Sequence, residues 1–70
     1  MGITEEEAKN IALKYIEEPG ALAGTPELKI LGCAQVYVVP VILNSTVVGE
    51  IHIDPQTGEN VGGAGGAPNG

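Results

Sequence analysis

Apolar positions change their spacing once along this chain. From Ala8 they recur at Ile11, Ala12, Tyr15 and Ile16, an i, i+3, i+4, i+7, i+8 stripe that predicts an amphipathic helix. Thr4 followed by Glu7 is a capping box, so the helix is expected to begin there. The hydroxyl takes an unpaired amide of the first turn and the carboxylate reaches back. Glu5 with Lys9 and Lys14 with Glu18 fall at i, i+4, and Pro19-Gly20 is the expected stop. After a Gly- and Pro-punctuated connection at residues 21–26 the period becomes two. Residues 27–31, 36–43 and 47–53 read as strands, joined by a loop at residues 32–35 and a three-residue turn of Asn44, Ser45 and Thr46. A short fourth strand is expected at residues 59–62.

That turn sets a register in which Leu43 faces Val47, Val41 faces Gly49, Val39 faces Ile51 and Tyr37 faces Ile53. The loop at 32–35 adds Ile30 beside Tyr37 and Leu28 beside Val39. All of these are apolar or glycine, so this face is the one the helix should cover, with Gly49 permitting close approach. Pro40 offers no amide to a central strand. In this register it meets Glu27 where the first strand begins, and a bulge is expected nearby. The opposite face carries Leu31, Val36, Val38, Ile42 and Val48, with Glu50 and His52 toward one end. A contiguous apolar patch of this kind marks an interface with a protein, a peptide or a second copy. Val36, Val38, Ile42, Val48, Glu50 and His52 are therefore the candidate binding residues. The expected architecture is α+β, one N-terminal helix packed on a three- to four-stranded antiparallel sheet.

Seventy residues make one domain, assigned to residues 1–61, with residues 62–70 as a flexible Gly-rich tail. A core of this size leaves roughly 3–5 kcal/mol of net stability. Three lysines and no arginine against nine acids give a net charge of −6. That balance argues against nucleic acid and anionic membrane as partners. The longest apolar run, residues 36–43, is too short for a bilayer. Glu5, Glu6 and Glu7 follow the N-terminus directly, without the basic and apolar regions of a signal peptide. As written the chain is expected in the cytoplasm, and in the cell envelope or secreted if a signal was removed. The single Cys33 allows no internal disulfide and has no cationic neighbour in sequence to activate it.

Candidate chemistry is sparse. Asp54-Pro55-Gln56-Thr57-Gly58-Glu59 offers hard oxygens at Asp54, Thr57 and Glu59, but Gln56 and Gly58 depart from the EF-hand positions. The same residues make a β-turn in which Asp54 accepts from following amides and Gly58 takes a positive φ. Glu50 and His52 share one strand face, two ligands where zinc needs three or four. The glycines from Gly62 lack the Lys-Ser/Thr ending of a phosphate loop. No nucleophile, base and oxyanion donor converge, so no enzyme and no cofactor are expected. A divalent-cation site of Asp54 and Glu59 with Glu17 or Glu18, suited to Ca²⁺, is the alternative.

Three segments carry a family resemblance: Thr4-Glu5-Glu6-Glu7-Ala8 leading to Ala12, then Tyr37-Val38-Val39, then the strand and turn from Ile51 to Glu59. Together they resemble the PepSY domain, named for propeptides of thermolysin-type peptidases and for spore-cortex proteins, across residues 3–61. Ile53 stands where that family more often has Val. The resemblance implies a non-enzymatic module that binds and restrains peptidases or works in the cell envelope. The expected function is accordingly protein or peptide binding, including peptidase regulation.

Overall fold

Thr4 caps the helix as its spacing requires. Its Oγ1 accepts from the Glu7 amide at 3.1 Å, and its own amide donates to Glu7 Oε1 at 2.8 Å. In the computed structural model, which describes residues 2–64, helix α1 spans Glu5–Leu13. The expected end at Pro19-Gly20 is corrected. The chain tightens into three-residue bonds, from Lys14 N to Ile11 O, Tyr15 N to Ala12 O and Ile16 N to Leu13 O, and these close the helix early. Tyr15 and Ile16 still pack on the core. Among the described residues Lys29–Glu27 is the one lysine–carboxylate ion pair, so neither expected helix pair forms.

Five strands follow: β1 (Leu22–Ala23), β2 (Glu27–Leu31), β3 (Ala34–Leu43), β4 (Thr46–Ile53) and β5 (Asn60–Ala64), all antiparallel. The fold is α+β, one helix packed on an antiparallel sheet, as expected. The connection at residues 21–26 supplies an additional strand. β1 and β2 lie one after the other along the same edge of β3, with β4 and β5 beyond its other edge. The last strand runs two residues past the expected 62, so Gly62 to Ala64 belong to the sheet. The remainder of the Gly-rich tail lies outside the described residues.

The central register holds, and for an instructive reason. Tyr37 pairs with Ile53, Val39 with Ile51 and Val41 with Gly49, all as expected. The turn, however, has two residues. Asn44 and Ser45 both take positive φ, 52° and 65°, between the paired Leu43 and Thr46. A turn of this hand matches the twist of the strands it joins. Its missing residue reappears at a bulge, where pairing steps from Val41–Gly49 to Ile42–Val47 and leaves Val48 as the extra residue. Val47 therefore sits opposite Ile42 and is 64% exposed, a correction to its expected place on the helix-covered face.

The first hairpin is corrected in the same way. Gly32 and Cys33 form a two-residue turn, Gly32 with φ 65°, and Leu28 pairs with Tyr37 and Ile30 with Gln35. This is a slip of two, which keeps every side chain on its expected face. Pro40 lies where the pairing is interrupted. Its carbonyl accepts from Gly24 N at 2.8 Å, so its missing donor points into the gap between Ala23 and Glu27. A Cβ on Gly24 would sit 2.7 Å from Pro40 Cγ and 2.9 Å from Ile42 Cδ1, so glycine lets that edge close.

The core is Ala8, Ala12, Ala23, Val39, Val41, Ile51 and Ile53, between α1 and the central strands, with Ile3, Ile11, Tyr15, Ile16, Ala21 and Tyr37 packed around it. The helix packs on β1, β3 and β4. Leu28 and Ile30 share the helix-side face but extend past the helix.

Ser45 holds a left-handed conformation that costs a non-glycine residue about 1 kcal/mol. Ser45→Gly should raise stability by about 0.5–1 kcal/mol in urea unfolding, with an unchanged m-value.

Candidate functional site

The outward sheet face does not present the open patch expected of it. Val36 and Val38 are only 7% and 8% exposed, so neither is free to meet a partner. The register explains this. Val38 lies between Glu27 and His52, and Val36 lies beside Lys29, so longer side chains flank both. Glu27 and Lys29 pair at 3.5 Å across the top of this row. The apolar surface left on that face is shifted toward the second hairpin. There Leu22, Ile42 and Val47 line up across three strands, with Val48 alongside.

Glu50 and His52 do come together, with Nε2 2.5 Å from Oε2. Their cross-strand neighbours are Pro40 and Ala64 for Glu50, and Val38 and Gly62 for His52. None of these adds a third ligand or a reacting group. Among the described residues no three of His, Cys, Asp and Glu gather as a metal site would require. Nor do those residues enclose a cavity.

The Asp54 loop is a turn whose acid is occupied. Asp54 Oδ1 accepts from Gln56 N at 2.7 Å and Thr57 N at 3.2 Å, while its backbone carbonyl accepts from Gly58 N at 2.8 Å. The Asp54 amide donates to the Glu59 carbonyl at 2.8 Å, returning the chain toward β5. Thr57 Oγ1 accepts from Glu59 N at 3.2 Å and donates to Glu59 Oε1 at 3.3 Å. Asp54 and Glu59 therefore serve the loop, and Glu17 and Glu18 join them in no cluster. The loop is also fastened to the start of the chain. Ile3 N donates to Pro55 O at 2.7 Å, Tyr37 Oη donates to Ile3 O at 3.3 Å, and a Cβ on Gly58 would lie 3.0 Å from Ile11 Cδ1.

Strand β2 holds none of the expected binding residues, and it is the most open element of the sheet. All five of its residues are exposed. Leu28 and Ile30, at 50% and 70%, stand on the part of the helix-side face that lies beyond the helix. In a hairpin with a two-residue turn the flanking pair, Leu31 and Ala34, exchanges both bonds. Alternation then turns the amides and carbonyls of Leu28 and Ile30 away from β3. A sequence signal for this exists, since the expected strand is apolar on both sides of Lys29. Cys33 is exposed at the tip of the same hairpin.

No protein-family model, curated protein or solved structure matches this chain. No helix among the described residues is long and apolar enough to cross a membrane.

Removing the Asp54 acceptor should destabilise the protein without touching a metal. Asp54→Ala is expected to cost about 1–2 kcal/mol in chemical unfolding, equally in calcium and in chelator. A loss confined to calcium-containing buffer would restore the cation reading.

Proposed function

We propose that the chain is a non-enzymatic protein-binding module, PepSY-like in design, that takes an extended segment of a protein onto the free edge of β2. The exposure of all five β2 residues carries this reading. An added strand gains affinity from main-chain bonds and specificity from alternate side chains. Leu28 and Ile30 supply both requirements on one face, outward-turned backbone groups and exposed apolar side chains. On the other face of β2 the charged pair Glu27 and Lys29, beside Leu31, keeps the edge soluble. Regulation of a peptidase is the form this binding takes under the PepSY resemblance, which rests on the capping box, Tyr37-Val38-Val39 and the Asp54 turn. A strand laid on β2 is compatible with that role, because strand addition is a recurring way of recognising an extended segment.

A probe peptide of alternating valine and threonine with lysine at each end tests the reading. Amide NMR shifts should concentrate at Leu28 and Ile30. Ile30→Pro removes one outward donor while sparing the bonds to β3, and should weaken binding about fivefold, the equivalent of one hydrogen bond. Shifts scattered over the surface, or an unaffected Ile30→Pro variant, would reject strand addition.

A further inference from the structure

The edge of β2 is complementary to itself. We propose that the segment it takes up is β2 of a second copy, running antiparallel about a two-fold axis at Leu28, a partner assignment that rests on the strand-addition reading above. Leu28 has its amide and carbonyl turned outward, so Leu28 against Leu28 of the second copy forms a pair that exchanges both backbone bonds. In that register Glu27 falls opposite Lys29 of the second copy, and the two-fold repeats the pair. These positions do not exchange backbone bonds, which brings their side chains closest.

Charge selects this register over its neighbour. Sliding the strands by one residue each would centre the axis on Lys29, placing two ammonium groups face to face and Glu27 opposite Leu31. Like charges directly opposed are unfavourable. Glu27 and Lys29 already reach each other at 3.5 Å within one chain, on the outward face, so both side chains have the length and direction for the exchange. On the helix-side face the two Leu28 side chains, each half exposed in the single chain, would cover one another with Ile30 flanking them. Two isologous copies close the edge, and the pairing ends at a dimer. Five residues per chain make a small interface, so the dimer is weak and forms at high protein concentration.

Charge exchange tests this with residues whose exposed side chains leave the core intact. Wild type should show concentration-dependent dimerisation in sedimentation equilibrium. Glu27→Lys alone and Lys29→Glu alone each create two like-charged pairs and should weaken it about tenfold. An equimolar mixture of the two variants should recover dimers, because the first variant is basic at both positions and the second acidic at both, so each cross-strand pair again joins opposite charges. Lys14→Glu, on the exposed end of α1, makes the same change in net charge as Lys29→Glu and should leave the dimer in place. Failure of the mixture to associate while wild type dimerises would overturn the proposed pairing. A wild type that stays monomeric at millimolar concentration, yet binds the valine-threonine probe at Leu28 and Ile30, would overturn the second copy as partner and leave strand addition standing. A monomer that also ignores the probe would overturn both.

Discussion

One short helix must cover a longer sheet, and most of the structure follows from that mismatch. Nine helical residues span about 13 Å, whereas the ten residues of β3 extend about 33 Å. The helix presents Ala8 and Ala12 as its fully buried residues, and such small side chains let it lie close against Val39, Val41, Ile51 and Ile53. Close contact is gained at the cost of reach. Tyr15 and Ile16 extend the cover through tightened turns, and Ile3 extends it at the other end by clasping Pro55. Neither extension reaches β2. Its apolar side chains on the helix side are therefore left in water by geometry, and their exposure is a property of element lengths before it is a property of any partner.

The legibility of this fold in its sequence tracks the parity of errors. A capping box is a local object, and Thr4 with Glu7 forms as its spacing requires. The expected β2–β3 register differs from the observed one by two, which is invisible to a two-residue period, so faces come out correctly although partners do not. The β3–β4 hairpin hides a compensating pair of events. A two-residue turn and a one-residue bulge sum to the offset of a three-residue turn, so every pair beyond Gly49 is unchanged and only Val47 changes face. Hydrophobic alternation alone does not separate those cases. The positive φ of Asn44 and Ser45 does, and Asn at the first position is its trace in the sequence.

Two of the expected binding residues, Val36 and Val38, are covered. Val36 and Val38 are expected to be exposed because they lie on the face without a helix. A strand flanked on both sides by Glu27, Lys29 and His52 needs no helix to be covered, since long side chains on neighbouring strands do the covering. The helix end is misplaced because Pro19-Gly20 is a sufficient stop but not a necessary one. Lys14 to Ile16 tighten before it under no signal stronger than ordinary propensity. The Asp54 turn reads for what it is because its chemistry is internal, with donor and acceptor only a few residues apart.

The placement of charge on β2 then gains meaning. An edge strand with three apolar residues among five is a hazard for uncontrolled pairing, and one lysine in its centre is a common defence. A lone lysine would oppose a symmetric partner only in the register centred on it. With Glu27 two residues away on the same face, repulsion persists in the register centred on Lys29 and becomes attraction in the one centred on Leu28. The pair therefore does more than hold the edge in solution. It grades the symmetric registers, disfavouring those centred on Glu27 and on Lys29 and favouring the one in which backbone bonds, Leu28 contact and both charges agree. Selectivity of that kind requires no pocket and no cluster of reactive groups. It requires an edge that the helix leaves open and two opposite charges at the period of a strand.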